Sequence, residues 1–248
     1  MTPAPRRVLV TGGASGIGAA IVERLVEQGF AVEFTYHRAT AAAEELGQRF
    51  GDAALGRACD LADGEAVETL ARSIEQVDAY YGLVHNAGTS ADALAALVDR
   101  AAAERVFAVN FWSMERLVRA VLRPMSAARR GRIVLVGSLA ARRGSPGNAI
   151  YAASKAAMTG YLNSLVSETA RRGITVNSVA PGFIDTAMLQ PYAARRDGLE
   201  KQIPAGRYGT AAEVAAAVAF LLSEAAGYVN GAVLPVDGGL GAVLPVLR

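Results

Sequence analysis

Three residues suited to proton transfer lie close together in the sequence, Ser138, Tyr151 and Lys155. On a helix, residues four apart share one face, so the Lys155 ammonium can lie beside the Tyr151 phenol. A free phenol has a pKa of about 10, and a general acid works best when its pKa is close to the working pH. We therefore expect Lys155 to lower the Tyr151 pKa by roughly 3 units, or about 4 kcal/mol. The spacing alone is also typical of an exposed surface pair.

A second segment has the composition of a phosphate-binding turn. Residues 7–11, with three apolar residues in succession, lead into the glycine-rich residues 12–18, and a helical pattern follows directly. Glycines permit a tight turn and a close backbone approach to a phosphate, whose charge a helix N-terminus stabilises. The spacing is G-x-x-x-G-x-G, which differs from the commoner G-x-G-x-x-G. A glycine cluster in an ordinary loop is the alternative.

Apolar runs alternate with helical patterns along the whole chain, which predicts βαβ units and a parallel sheet covered on both faces. Strands are predicted near residues 7–11, 31–36, 54–59, 81–86, 132–137, 174–180 and 232–236. Helices are predicted near residues 16–29, 63–77, 101–126, 150–172 and 211–223. Thr210 and Glu213 form the capping-box pattern at the start of the last helix. In such sheets ligands bind outside the carboxyl ends of the strands, where most of the polar motifs fall.

Seven motifs in order resemble those of the short-chain dehydrogenase/reductase family. They are Thr11-Gly12-x-x-x-Gly16-Ile17-Gly18, Asp60-Leu61, Asn86-Ala87-Gly88, Asn110, Ser138, Tyr151-x-x-x-Lys155 and Pro181-Gly182. The resemblance covers nearly the whole chain. It implies an α/β fold: one Rossmann-type domain over residues 1–248, with a doubly wound, parallel, seven-stranded sheet and helices on both faces.

The resemblance also implies catalytic roles. Tyr151 would donate a proton to a substrate carbonyl while Ser138 hydrogen-bonds the same oxygen, and Lys155 would lower the tyrosine pKa and bind the nicotinamide ribose. Asn110 would kink its helix and hold a water molecule that links Lys155 to solvent. The alternative for Asn110 is a packing residue.

The same resemblance predicts a nicotinamide dinucleotide as cofactor and no metal. The cofactor-binding residues would be Gly12, Ser15, Gly16, Ile17, Gly18, His37, Arg38, Asp60, Leu61, Asn86, Ala87, Gly88, Tyr151, Lys155, Pro181, Gly182, Ile184 and Thr186. Asp60 would bond the adenine amino group, and Ile184 and Thr186 the nicotinamide carboxamide. Thr186 could also cap the next helix.

The end of the second strand indicates which dinucleotide binds. An acidic residue there would favour NADH, whereas a basic residue accepts the 2′-phosphate of NADPH. His37 and Arg38 occupy this place, so NADPH is favoured over NADH. His85 stands where the family more often has asparagine, and we interpret it as a local structural variant rather than a catalyst.

Composition is consistent with one compact domain. The 248 residues include no linker, repeat or apolar run long enough to span a membrane, and residues 1–7 lack the apolar segment of a secretory signal. The lone Cys59 excludes an internal disulfide and is predicted to be buried and inert, which together indicate a cytoplasmic protein. A net charge of +2 without a basic stripe argues against nucleic-acid binding.

Within the family the strongest resemblance is to β-ketoacyl-acyl carrier protein reductases. In that subfamily, arginines at the positions of Arg129 and Arg172 dock the acidic carrier protein beside the active site. A helix-capping role is the alternative for both. Residues 185–209 would form a mobile substrate lid. A homotetramer or dimer is expected, and the apolar tail, residues 241–248, would extend an interface or reach a neighbour's pocket.

Three functions remain open on the sequence. The leading one is an NADPH-dependent ketoreductase that reduces a carrier-bound 3-oxoacyl thioester in fatty-acid or polyketide-like biosynthesis. The second is a reductase or dehydrogenase of a free small alcohol, sugar or cyclic ketone. The third is an NADP-binding regulatory protein without turnover, which the intact set of four catalytic residues disfavours.

Overall fold

The fold is a seven-stranded parallel sheet with helices on both faces. The computed structural model describes residues 6–76 and 80–243. The strands are β1 Arg7–Thr11, β2 Ala31–Tyr36, β3 Ala54–Ala58, β4 Gly82–His85, β5 Gly131–Val136, β6 Ile174–Pro181 and β7 Val233–Val236. The α-helices are α1 Gly16–Glu27, α2 Thr40–Phe50, α3 Gly64–Glu75, α4 Arg100–Phe107, α5 Ser113–Ala128, α6 Ala149–Thr169, α7 Arg196–Glu200 and α8 Ala211–Leu222.

The strand order is β3-β2-β1-β4-β5-β6-β7, and all neighbouring strands are parallel. The chain starts in the middle, builds outward to β3, and returns to add β4 on the other side of β1. The order therefore reverses between β1 and β4, which opens a crevice at the carboxyl ends of these two strands. The predicted fold class is confirmed.

The two faces of the sheet carry two separate apolar clusters. Along β1, Val8 and Val10 pack on one face and Leu9 on the other, because successive side chains of a strand point to opposite sides. The first cluster packs against α1 and α8, and the second against α3, α5 and α6. Both faces are thus sealed, and the polar groups left for chemistry lie at the strand ends.

Two helical predictions need correction. The structure adds α2, which the sequence patterns did not indicate, and it divides the helix predicted over residues 101–126 into α4 and α5. Between them lies a π-helical turn, Ala108–Trp112, which has Asn110 at its centre. The capping box is confirmed, because Thr210 accepts from the Glu213 amide and Glu213 accepts from the Thr210 amide.

Cys59 is buried, and this burial raises its thiol pKa to about 11, as expected of an inert cysteine. No helix within residues 6–76 and 80–243 is long and apolar enough to cross a lipid bilayer. The predictions about a signal segment in residues 1–5 and about the end of the apolar tail, residues 244–248, lie outside the described residues.

Candidate active site

The carboxyl ends of β5 and β4 and the start of α6 bring the predicted catalytic residues together. Ser138 follows β5, Tyr151 and Lys155 lie in the first turns of α6, and Asn110 reaches them from the π turn. The Asn110 amide nitrogen donates to Ser154 Oγ at 2.9 Å, and this hydroxyl in turn donates to the Tyr151 carbonyl at 2.7 Å. The π turn is therefore tied directly to the helix that carries the tyrosine and the lysine.

Lys155 is a buried cation with few partners. It is 3 % exposed, its Nζ donates to the Val136 carbonyl at 2.9 Å, and Nζ lies 5.8 Å from the centre of the Tyr151 ring. Burial penalises the charged form and lowers the Lys155 pKa to about 8. The ammonium is thus held at the site at a cost in solvation, which is typical of a functional position.

The expectation that the Tyr151 pKa is lowered overall is wrong for this chain alone. Burial, the largest effect, raises the Tyr151 pKa, and the nearby Asp92 carboxylate raises it further. The Ser138 hydroxyl, which faces the phenol, lowers it by a smaller amount. The physical reason is that the phenol loses water on burial while the ammonium is directed to Val136 rather than to the phenol oxygen.

Both protons of the Asn110 side-chain amide are used by the protein. Its Oδ1 accepts from the Thr89 amide at 2.8 Å, and its Nδ2 donates to the Thr89 carbonyl at 3.0 Å as well as to Ser154. The predicted kink takes the form of the π turn. A water molecule bound here could donate to the Asn110 backbone carbonyl or to the second lone pair of Oδ1.

The glycine-rich segment forms a cradle between β1 and α1. Gly12 and Gly16 have φ values of +65° and +52°, which favour glycine. A Cβ atom on Gly18 would lie 2.0 Å from the Gly12 carbonyl oxygen, so no side chain fits there. Ser15 is the exposed N-cap residue of α1 and makes no side-chain capping bond. The cradle thus presents backbone amides at a helix N-terminus and fits a dinucleotide phosphate.

The cradle is braced by two neighbouring strands. The Asn86 amide nitrogen donates to the Thr11 and Gly12 carbonyls at 3.1 and 3.0 Å, and the Gly12 amide donates to Thr35 Oγ1 at 3.1 Å. Asn86 therefore supports the loop through its side chain. Thr11 and Thr35 were not predicted to have this bracing role.

The ends of β2 and β3 form the other half of the crevice. His37 and Arg38 are exposed, and within residues 6–76 and 80–243 Arg38 has no ion-pair or hydrogen-bond partner. Asp60 accepts from the Ala62 amide at 2.9 Å and lies 3.6 Å from His37 and 3.5 Å from Arg105. The hydrogen bond from the Ala62 backbone N–H is the largest of the effects that lower the Asp60 pKa. Arg105 was missed because it is distant in sequence, on α4.

The segment after β6 closes the crevice from the opposite side. The Gly182 amide donates to the Val236 carbonyl at 3.0 Å, and Ile184 pairs with Gly209. A Cβ atom on Gly16 would lie 3.4 Å from the Thr186 methyl group, so this segment reaches the glycine cradle. Thr186 stands at the N-cap position of the next 3₁₀ helix, but its side chain makes no capping bond.

Residues 185–209 fold over the mouth of the crevice in helical turns. The Tyr192 hydroxyl donates to the Asp92 carboxylate in the loop on the opposite side of the mouth, and this bond raises the Tyr192 pKa to about 12. Arg196 pairs with Asp185 at 2.9 Å and lies over the Tyr208 ring. The segment predicted as a substrate lid thus spans the mouth and contacts both of its sides.

Arg129 and Arg172 lie at the opposite end of the sheet from Tyr151 of the same chain. Arg129 caps α5 and Arg172 follows α6, at the amino ends of β5 and β6, whereas Tyr151 lies near the carboxyl ends. At 1.5 Å per helical residue, Arg172 is roughly 30 Å from Tyr151 of the same chain. Arg129 also makes a contact of the kind that the capping alternative describes, because its Nη2 donates to the Arg171 carbonyl at 3.1 Å, just after α6.

A comparison with known proteins finds relatives over nearly the whole chain. A family model described as Enoyl-(Acyl carrier protein) reductase matches residues 12–241. The 3-oxoacyl-[acyl-carrier-protein] reductase MabA of Mycobacterium bovis is 41% identical over 241 residues, 95% of this chain and 93% of the relative. The corresponding reductase FabG of Haemophilus influenzae is 41% identical over 239 residues, 94% of this chain and 96% of the relative.

Among solved structures, a gluconate 5-dehydrogenase from Burkholderia cenocepacia in complex with NADP and tartrate superposes with a TM-score of 0.89. It is 34% identical in sequence, and the match covers 96% of each chain. This chain is therefore similar both to reductases of carrier-bound substrates and to a dehydrogenase of a free sugar acid.

Proposed function

The chain belongs to the short-chain dehydrogenase/reductase family, and from this membership we propose that it reduces a 3-oxoacyl thioester on acyl carrier protein with NADPH. It is an oxidoreductase that acts on CH–OH and C=O groups and uses a nicotinamide cofactor. The observation that carries the proposal is the convergence of Ser138, Tyr151 and the buried Lys155 beside the glycine cradle, in a chain 41% identical to two 3-oxoacyl reductases.

A nicotinamide held at the cradle of Gly12, Gly16 and Gly18 would supply the hydride for the carbonyl carbon. Tyr151 donates its proton to the carbonyl oxygen, and the Ser138 hydroxyl holds that oxygen through a hydrogen bond. A tyrosine whose pKa is raised by burial stays protonated until it is needed, which suits a proton donor. The Lys155 ammonium, whose pKa is about 8, stabilises the tyrosinate left behind and binds the ribose hydroxyls.

NADPH rather than NADH is supported by the chemistry at the end of β2. The Arg38 guanidinium is exposed at that position and can pair with a 2′-phosphate through two parallel hydrogen bonds. No acidic residue at this point would repel the phosphate. The cradle of Gly12, Gly16 and Gly18 would hold the pyrophosphate, and Asp60 would face the adenine.

An acyl carrier protein is proposed as the partner that delivers the substrate. Its acidic surface is complementary to Arg129 and Arg172, which are exposed. Because Arg172 lies roughly 30 Å from Tyr151 of the same chain and Arg129 lies at the same amino end of the sheet, docking on them would serve the active site of a neighbouring copy in the proposed homotetramer. Trp112, which is 60 % exposed on the π turn, supports such an assembly.

Residues 185–209 are proposed as the substrate lid. The bond between Tyr192 and Asp92 links this segment to the loop on the other side of the mouth, and closure there would exclude water from the reacting carbonyl.

A free hydroxy acid or sugar is the second candidate substrate, and one observation favours it. The gluconate 5-dehydrogenase has the same fold at a TM-score of 0.89. Tyr151 in its deprotonated form would take the hydroxyl proton of such a substrate, held by Ser138, while the hydride passes to NADP.

One set of assays separates the candidates. NADPH oxidation is measured with acetoacetyl thioester on acyl carrier protein, with the free thioester and with a panel of ketones, and NADP reduction is measured with a panel of sugar acids. We expect the highest kcat/KM with the carrier-bound substrate, and a decrease in Arg129→Glu and Arg172→Glu for that substrate alone. Turnover of sugar acids only, unchanged in both variants, would favour the second candidate and exclude the first.

A further inference from the structure

His85 is a buried histidine to which the mechanism above gives no role. It is the last residue of β4, is completely buried, and has one side-chain hydrogen bond among the described residues, between its Nδ1 and Thr11 Oγ1 at 3.1 Å. Its ring lies between the start of the glycine cradle and the π turn that carries Asn110. Both neighbours belong to the proposed active site.

The hydrogen bonds of Thr11 determine which ring nitrogen of His85 carries the proton. Thr11 Oγ1 accepts from the Asn86 and Ala87 amides, each at 3.0 Å, so both of its lone pairs are used. Its hydroxyl proton must therefore be donated to His85 Nδ1. Burial and the Lys155 cation lower the His85 pKa to about 3, so the ring is neutral. The remaining ring proton must be on Nε2.

The resulting Nε2–H group faces the backbone of the π turn. The carbonyls of Val109 and Asn110 lie on this side of the ring, yet within the described residues no acceptor bonds Nε2. The Val109 carbonyl already accepts from the Ser113 hydroxyl at 2.7 Å. Because an unpaired buried N–H group is unfavourable, the Asn110 carbonyl is the acceptor that the site offers, either directly or through one water molecule.

We propose that the Nε2–H group of His85 holds the Asn110 backbone carbonyl, directly or through one water molecule, and thereby positions Asn110 for proton supply to Lys155. This inference rests on the proposed reductase function. His85 is a positioning residue, because it acts through Asn110. Lys155, on α6, is the charged group that acts on the ring, while Thr11 on β1 and the π-turn carbonyls are uncharged.

The first test uses the unmodified protein and needs no turnover. The chain contains two histidines, so selective ¹⁵N labelling gives two readable rings, and the exposed His37 is an internal reference. We expect His85 to remain a neutral Nε2–H tautomer from about pH 5 to about pH 9, with an Nε2 proton that exchanges slowly with water. A proton on Nδ1, or a titration in this range, would overturn the assignment.

The second test compares two amide substitutions at the same position. In His85→Gln an amide N–H can reach the place of Nε2, whereas in His85→Asn the shorter amide can accept from Thr11 but ends before the π turn. We expect kcat to fall about tenfold in His85→Asn with a larger solvent deuterium isotope effect, and to stay within about threefold in His85→Gln. NADPH dissociation constants and unfolding temperatures are measured for both.

The outcomes separate this inference from the proposed function. If the unmodified protein reduces none of the thioesters or ketones and oxidises none of the sugar acids, the proposed function fails, and the ¹⁵N measurement still decides whether the Nε2–H group exists. If the unmodified protein turns over and His85→Asn matches it in kcat and in solvent isotope effect, the positioning role is wrong. A loss of stability or NADPH affinity with an unchanged isotope effect would likewise exclude it, since a purely structural role predicts that result.

Discussion

The two ends of the crevice hold their polar groups in opposite ways. At the catalytic end, His85, Asn110 and Lys155 are at most 3 % exposed, and burial is the largest cause of the pKa shifts of the histidine and the lysine. At the adenosine end, His37 and Arg38 are exposed. A buried charged or polar group depends on its few protein partners, so substituting it or a partner costs free energy. An exposed charge is solvated by water, so substituting it has little effect on the rest of the fold. Substitutions at the first end should therefore reduce turnover, and those at the second should alter cofactor affinity.

Tyr151→Phe should have the largest effect on turnover. It removes the proton donor but leaves the cradle and Lys155 in place, so kcat should fall by about a thousandfold while NADPH affinity stays within about twofold. Steady-state kinetics and NADPH fluorescence titration measure the two quantities. Retained turnover would refute the catalytic role of the phenol.

Gly18→Ala should abolish measurable NADPH binding and lower the free energy of unfolding by roughly 1 to 3 kcal/mol. The added methyl group would lie 2.0 Å from the Gly12 carbonyl oxygen and 2.6 Å from Asn86 Nδ2, so the cradle must deform. Gly47→Ala in α2 is the matched control, because a Cβ atom there has no neighbour within 4 Å. If both variants bind NADPH normally, the close packing of the cradle does not require glycine at position 18.

Lys155→Met should stabilise the protein without cofactor at pH 7 by roughly 2 kcal/mol. The lysine pKa falls from 10.5 to about 8 on folding, a penalty of about 3 kcal/mol, which the lost bond to Val136 offsets by about 1 kcal/mol. Between pH 8 and pH 10.5 the unfolded state binds more protons, so the wild type gains stability as the pH rises through this window.

The advantage of Lys155→Met should therefore disappear as the pH approaches 10.5. Denaturant unfolding at several pH values measures it, with the exposed Lys201→Met as the control that should change stability by less than about 0.5 kcal/mol at every pH. A destabilised Lys155→Met at pH 7 would mean that the ammonium is better solvated than its burial indicates.

Arg38→Ala should have the smallest effect, confined to the choice of cofactor. The KM for NADPH should rise about tenfold while the KM for NADH is unchanged, because only NADPH carries the phosphate that the guanidinium would bind. Arg123→Ala, exposed on α5, is the control for loss of one positive charge. Equal changes for both cofactors would place Arg38 outside the phosphate site.

Much of this architecture was predictable because it depends on local patterns. The predicted strands agree with the structure to within one or two residues, since buried parallel strands are short apolar runs between turn residues. Helix α2 was missed because just two of its residues, Ala43 and Leu46, are buried, which leaves no apolar stripe. The π turn was missed because it is a change of hydrogen-bond partners that an otherwise helical sequence does not indicate.

The sequence by itself determined the order of the elements, the glycine cradle and the residue types that meet at the strand ends, because these follow from short-range periodicity and spacing. The tertiary structure alone decided how those residues behave. Whether burial raises the Tyr151 pKa, which nitrogen of His85 carries the proton and how far Arg172 lies from Tyr151 all depend on which groups cover one another in space. Desolvation and hydrogen bonding are set by neighbours that are distant along the chain.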